Sequence, residues 1–340
     1  MKHESLNPLS LSIVIAAHRA GAMLDGCFSA VAQLEPKPRE VIVAIDGGCT
    51  QVIAAAEARG FKVIPLPQAP GVSATRNAGA RAATGSVLAF LDSDVTPQSD
   101  FVSRALEVLA APPGAAAAFG SYDDAPAARG IVSRYRNLLH HHTHQHANRE
   151  AQTFWAACGV CRAAVFWDVG GFDENYRMPS IEDIDLGYRL RRAGHRIVLE
   201  PSLQICHLKH WSLQNLIVTD FSCRALPWTL LLLREGRLDN DLNIDAQSRL
   251  SAALSLLAVG GMLLAIIKPA ALLLSILSAF AVIFMNRRFY CFLERCGGVG
   301  FAIAAIPLHF AYFLTALAGY AAGTVVFRCK ALSAMFAAER

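Results

Sequence analysis

The first strand-like run of this chain, Leu11 to Ala16, is not followed by a glycine-rich turn; Ala17-His18-Arg19 comes next, with only Gly21 nearby. Dinucleotide-binding folds use closely spaced glycines there to bring backbone amides against a pyrophosphate, so the absence disfavours an oxidoreductase. Long runs of Lys or Arg are also missing, and the net charge is only +4. A nucleic-acid partner would call for basic residues gathered on one face, and none is expected here. The nine cysteines show no repeating spacing. An odd, scattered set points to free thiols in a reducing compartment rather than a disulfide framework. Met1 to Ser10 has no basic flank leading into an apolar stretch, so no cleaved leader is expected.

Charge is scarce in the last third as well. From Leu250 to Ile267 the chain is almost wholly apolar or small; Lys268-Pro269 interrupts it, Ala270 to Met285 resumes, and Phe301 to Phe327 forms a further run. The first two approach the minimum for crossing a bilayer, and the last can cross with tilt. The expected organisation is a soluble α/β domain over 1–210, an interfacial amphipathic segment over 211–245 and a membrane region over 246–340. The membrane region would hold spans near 250–267, 270–285 and 301–327, with the lipid bilayer as partner. Leu213, Ile217, Phe221, Trp228 and Leu232 suggest the interfacial helix by their spacing. Arg287, Arg288 and Arg295 favour a cytoplasmic side, and so do Arg328, Lys330 and Arg340, which conflicts with a single crossing between the two clusters. The expected location is the inner (plasma) membrane, multi-pass, with the catalytic domain in the cytoplasm.

Ahead of this region, strand-like and helix-like segments alternate. Leu11–Ala16, Glu40–Ile45, Phe61–Leu66 and Ser86–Leu91 read as strands, with helical stretches between them such as Thr50–Arg59 and Ser73–Thr84. That alternation implies a mostly parallel, doubly wound sheet, whose ligands bind beyond the carboxyl ends of the strands. Asp46 follows the second strand, where an acid can accept from a ribose hydroxyl or a base N–H. Asp92-Ser93-Asp94 follows the fourth. Two carboxylates so close repel unless a cation lies between them, and hard oxygens suit Mg²⁺ or Mn²⁺.

These segments, in their order, resemble the family 2 glycosyltransferases of bacterial membrane-anchored type, which have the GT-A fold. The resemblance is carried by Ile45-Asp46-Gly47-Gly48, Thr75-Arg76-Asn77-Ala78-Gly79, Asp92-Ser93-Asp94, Gly170-Gly171-Phe172-Asp173-Glu174, Glu182-Asp183-Ile184-Asp185-Leu186-Gly187 and Cys206-His207. The family's usual Pro-X-Tyr-Asn is replaced by Ala16-Ala17-His18-Arg19, and its first acid before Asp46 by Ile45.

The resemblance implies an inverting, metal-dependent transfer from a nucleotide-diphosphate sugar to a glycan, glycolipid or other membrane-associated hydroxyl. The alternatives are a polyprenyl phosphate acceptor, which needs no base, and an inactive membrane scaffold. Asp183 is the expected general base, with Glu182 orienting it or the acceptor. Asp46, Arg76, Asp92 and Asp94 are the expected donor side. Arg76 can equally reach a phosphate or pair with a local acid. Asp92, Asp94 and His207 are the expected ligands of Mn²⁺ or Mg²⁺, an imidazole favouring Mn²⁺. Ser180-Ile181-Glu182-Asp183 also reads as a capping box. Trp155 is a candidate for stacking on an acceptor sugar. The histidines at 140–142, 144 and 146 read as a solvated or headgroup-facing segment rather than a metal site, and Cys158 and Cys161 as packed core thiols.

Overall fold

The computed structural model describes residues 9–66, 70–236 and 240–338, with side chains as far as residue 329. Most of the opening stretch read for a leader, the Lys330 side chain and Arg340 lie outside the described residues. The chain divides into two compact units, one of Met1–Ala127 and His144–Lys209, the other of Ala128–Thr143 and His210–Arg340. The later boundary falls beside the expected 210. The stretch Ala128–Thr143, read from sequence as part of the soluble domain, groups with the second unit.

In the first unit the strands are β1 (Leu11–Ala17), β2 (Glu40–Asp46), β3 (Lys62–Leu66), β4 (Val87–Asp92), β5 (Val95–Pro97), β6 (Ala117–Tyr122), β7 (Cys158–Arg162) and β8 (Ile197–His207). They form a single sheet in the order β3-β2-β1-β4-β7-β6-β8-β5. β3, β2, β1 and β4 run parallel. β7 is antiparallel to both β4 and β6, and β5 to β8, so beyond β4 the sheet is mixed. The apolar runs of β1, β2 and β4 are buried along almost their whole length, as expected for central strands covered on both faces. The chain winds outward from β1 to β3 and then places β4 on the other side of β1. Neighbouring carboxyl ends therefore part at β1 and β4, the switch point where such sheets bind ligands. Ala16 pairs with Asp92 there, and Ala17 with Ile45.

The first unit's helices include α1 (Ala22–Ala32), α2 (Thr50–Glu57), α3 (Val72–Arg81), α4 (Phe101–Ala110), α6 (Ala163–Asp168) and α7 (Glu182–Arg192); α5 (Ile131–His146) starts in the second unit, and its residues from His144 belong to the first. Several family-like motifs turn out to be joints between these elements. Asn77 on α3 donates from Nδ2 to the Phe172 carbonyl (2.8 Å), and its Oδ1 accepts the Phe172 amide (3.0 Å). Arg189 on α7 donates to the carbonyls of Val169 and Gly171 and is held by Asp185 one turn earlier (2.8 Å). Gly187 lies against the backbone of Thr153 and Phe154, where a Cβ would collide with main-chain atoms. Gly71 precedes α3 at φ 95° and packs on the Arg177 backbone, so it meets both reasons for glycine, positive φ and close approach.

The second unit is mostly apolar helix. Leu213–Val218 (α8), a π-helical turn over Thr219–Ala225, and Leu226–Glu235 (α9) follow one another. Then come α10 (Ala246–Ala265), α11 (Ala271–Met285) and α12 (Arg287–Ala338), the last interrupted at Gly298, whose φ of 81° is not helical. Among the described residues three stretches are long and apolar enough to cross a membrane: Leu213–Glu235, Ala246–Ala265 and Arg287–Cys329. α11 is apolar but shorter. The segment expected at the interface is thus itself of spanning length. Its Ala225 and Thr229 pack against Gly319 and Gly323 of α12, where the missing side chains let the backbones approach.

The buried carboxylate Asp220 of this unit is paired. Asp220 accepts from Arg136 (3.0 Å) and from Arg224 (3.0 Å). Three of the histidines are packed, which corrects the sequence reading for them, while His146 is exposed: His141 stacks on Phe292, and His142 lies against Phe289 and Phe292. In the first unit His144 is buried, with Nδ1 2.8 Å from the Gly120 carbonyl oxygen. Helical geometry sends these rings to different faces, and aromatic neighbours cover them.

Candidate active site

Asp92 ends β4, and Asp94 lies between β4 and β5. Antiparallel pairing of Val95 with His207 then fixes Asp94 beside the end of β8. His207 Nε2 stands 3.5 Å from Asp94 Oδ2. Burial resists ionisation of Asp94, but the hydrogen bond and charge of His207, with Lys209, outweigh it and hold the carboxyl below its ordinary range. A hard oxygen and an imidazole facing each other make a donor pair that fits Mn²⁺ better than Mg²⁺. Asp92 is engaged elsewhere. Its Oδ1 accepts from Arg76 Nη2 at 2.7 Å, and burial, with Asp94 adding to it against the pull of Arg76, raises its pKa. Among the described residues no group of three or more His, Cys, Asp or Glu is gathered closely enough to hold a metal ion.

Arg76 joins two carboxylates. Besides Asp92 it donates from Nη1 to Glu182 Oε1 at 2.6 Å, and it is almost fully buried. Burial alone would discourage its charge, but Asp92, Glu182 and Asp183 together hold it firmly protonated. Of its alternative readings, the structure shows pairing with local acids.

Asp183 lies in the first turn of α7. The helix is capped at Ile181 without a side-chain bond. Asp183 Oδ2 accepts the Ala156 amide (3.0 Å) and Oδ1 the Ile184 amide (2.8 Å). Glu182 Oε2 accepts the Ser180 amide (2.7 Å). Burial, then the neighbouring Glu182 charge, push the Asp183 pKa from 3.8 up to about 7, although the two amides and Arg76 pull it down. A carboxyl tuned near neutrality suits general-base work.

Asp46 and His18 meet at the ends of β2 and β1. His18 Nδ1 lies 3.0 Å from the Asp46 carbonyl oxygen. Asp46 Oδ1 is buried with no partner among the described residues, an acceptor suited to a donor N–H or O–H. His18, which departs from the family pattern, therefore braces the residue that keeps to it.

Trp155 sits next to Ala156, whose amide holds Asp183. Its ring lies edge-on to Tyr122 (4.9 Å) and to His144 (5.1 Å). Tyr122 stacks on His207 at 4.6 Å with the planes 8° apart. Tyr122 was not among the expected site residues. Its place after the β6 run marks it by the same strand-end rule that selected Asp46 and Asp92. Cys158 and Cys161 are buried free thiols, raised by desolvation, and so behave as core residues.

The sheet with its switch-point carboxylates is the GT-A arrangement. A mannosyltransferase from Pyrobaculum calidifontis, solved with GDP-mannose and Mn²⁺, shares this fold with a TM-score of 0.60 at 13% identity, over 93% of this chain and 88% of that one. Residues 12–170 match Glycosyl transferase family 2. A pre-mycofactocin glycosyltransferase of Mycobacterium tuberculosis is 36% identical over 155 residues, 43% of this chain and 32% of that protein. A validoxylamine A glucosyltransferase of Streptomyces hygroscopicus is 30% identical over 222 residues, 54% of this chain and 48% of that protein. An N-acetylglucosaminyl-diphospho-decaprenol L-rhamnosyltransferase of Mycobacterium tuberculosis is 47% identical over 53 residues, 16% of this chain and 17% of that protein. The chain thus spans from about a third to half the length of the first two.

Proposed function

We propose that this chain is an inverting glycosyltransferase that moves a sugar from a nucleotide-diphosphate sugar to a hydroxyl of a glycan, glycolipid or other membrane-associated acceptor. The observation that carries the reading is Asp183, held by two backbone amides with its pKa raised to about 7 and linked through Glu182 and Arg76 to Asp92 on the donor side. Ionised Asp183 accepts the proton of the acceptor hydroxyl. The acceptor oxygen bonds to the anomeric carbon as the bond to the diphosphate breaks. The nucleoside diphosphate leaves with that electron pair, and attack from the opposite face inverts the centre. A divalent cation bound by Asp94 and His207, with Asp92 nearby, would neutralise the developing diphosphate charge.

Asp46 supplies the acceptor for the nucleoside, and Trp155 an apolar face for the acceptor sugar. The relatives support this reading by name, since they are glycosyltransferases. The apolar helices support a multi-pass place in the inner membrane, and Arg287 and Arg288 support a cytoplasmic catalytic unit. The test is a screen of nucleotide sugars for Mn²⁺-dependent hydrolysis by the detergent-solubilised chain. Turnover of one donor that stops on chelation is expected. Binding of no nucleotide sugar would leave the scaffold alternative in its place.

A further inference from the structure

The second unit distributes its charge unevenly from end to end. α10 and α11 form an antiparallel hairpin. Gln247 Nε2 donates to the Met285 carbonyl (3.1 Å), Asn286 Nδ2 to Ser251 Oγ (3.1 Å), and Ser275 Oγ to the Ala258 carbonyl (2.6 Å). The closed end presents Ile266 and Ile267, 82% and 78% exposed, with Lys268 as its cation. The open end gathers Arg249 in the first turn of α10 and Arg287 and Arg288 just past α11. Arg295 follows two turns later, before the break at Gly298.

That first segment of α12 is two-faced. Phe289, Tyr290 and Leu293 are buried, packed in one cluster with Tyr135 and Leu138 of α5. Arg288, Cys291, Glu294 and Arg295 are exposed on the other side. Arg134 fixes the end of the segment, donating to the Cys296 carbonyl (2.9 Å) while its guanidinium lies over the Phe301 ring (4.3 Å). Among the described residues Arg249, Arg287, Arg288 and Arg295 make no ion pair. Arg249 donates to the Ile244 carbonyl and the Asn240 side chain, and Arg287 to the Phe284 carbonyl. The nearby acids are few. Glu294 is exposed, Asp241 is buried and accepts the Leu242 amide, and Asp245 accepts the Ser248 amide at the start of α10.

We propose that Arg249, Arg287, Arg288 and Arg295 form a basic belt that binds anionic phospholipid headgroups at the membrane surface. This rests on the reading of the apolar helices as membrane-embedded. α10, at 20 residues, measures roughly 30 Å, which matches a hydrocarbon core and puts its open end at headgroup depth. Guanidinium groups with no carboxylate partner pair with lipid phosphates in forked geometry, whereas zwitterionic headgroups offer a compensating cation and bind them less. Each basic residue near an anionic surface strengthens association by about fivefold at moderate ionic strength.

The experiment reconstitutes the full chain in bilayers doped with spin-labelled phosphatidylglycerol or spin-labelled phosphatidylcholine and measures the motionally restricted fraction of each label. The anionic label should be preferred severalfold, with the preference shrinking as salt rises. Arg287→Gln, Arg288→Gln and Arg295→Gln combined should remove it, while the matching Lys replacements keep it and show that the fold tolerates change there. Equal restriction of both labels, or a preference that survives the triple Gln variant, overturns the belt. Alkaline-carbonate extraction separates the two failures: a released chain overturns the membrane reading itself, whereas a retained chain without lipid preference overturns the belt alone.

Discussion

Arg76 Nη1 lies 2.6 Å from Glu182 Oε1, joining a helix beside the donor strands to the start of the helix that carries Asp183. Both side chains are buried, at 7% and 4% exposure. Removing one partner leaves a buried charge uncompensated, which costs about 3–5 kcal/mol. Arg76→Met is therefore expected to lower the unfolding midpoint markedly, as measured by chemical denaturation in detergent. An unchanged midpoint with lost activity would mean that the guanidinium serves the substrate and not the fold.

Asp183→Asn removes the charge that accepts the proton. A general base contributes about a hundredfold to ten-thousandfold in rate, so kcat should fall within that range while the donor KM holds. The amide keeps one carbonyl oxygen for the two backbone donors, Ala156 and Ile184, and the lost acceptor should cost about 1 kcal/mol. A near-wild-type rate in the folded variant would point to an acceptor that is already ionised, such as a polyprenyl phosphate.

The raised pKa of Asp183 fixes the sign of the pH dependence. The base works only when ionised, so kcat/KM should drop about tenfold per unit below pH about 7 and level off above it. The folded chain also keeps this proton to higher pH than the unfolded chain. This carboxyl therefore makes unfolding easier as pH climbs from about 4 to about 7. A kcat/KM flat from pH 5 to pH 8 would contradict the assignment.

Asp94→Asn should abolish transfer with little change in thermal stability, because the residue is only half-buried and its partner His207 stays packed on Tyr122. The Mn²⁺ dependence of donor hydrolysis measures it. Wild-type activity at limiting Mn²⁺ would remove Asp94 from the metal role.

Gly187→Ala should destabilise the first unit by about 1–3 kcal/mol, since the added methyl meets main-chain atoms of Thr153 and Phe154, which cannot rotate away. Serine there should behave no better. A thermal midpoint equal to wild type in either variant would show that the helix can shift at no cost.

Much of the site was legible because it depends on local rules. The first four strands end within a residue or so of where their apolar runs stop, and Asp46, Asp92 and Asp94 follow because chain direction puts carboxyl ends together. The cap position fell at Ile181 rather than Ser180, and a distant group, the Ala156 amide 27 residues away, takes an Asp183 oxygen, which no local pattern announces. Asp92 was read as a metal ligand from its spacing to Asp94, and nothing local announced that Arg76 would occupy one of its oxygens. His141 and His142 were misread as solvated because their aromatic partners Phe289 and Phe292 come from a helix more than a hundred residues on.

By itself the sequence determined the first four strands and the helices between them, the apolar character of the last third, and which chemical groups arrive at those strand ends, since periodicity and turn chemistry act over a few neighbouring residues. The tertiary structure decided which carboxylate faces His207, which pairs with Arg76, and which is left to titrate near neutrality. Those outcomes depend on burial and on charges brought within a few ångströms across 106 residues of chain, and no short-range pattern encodes them.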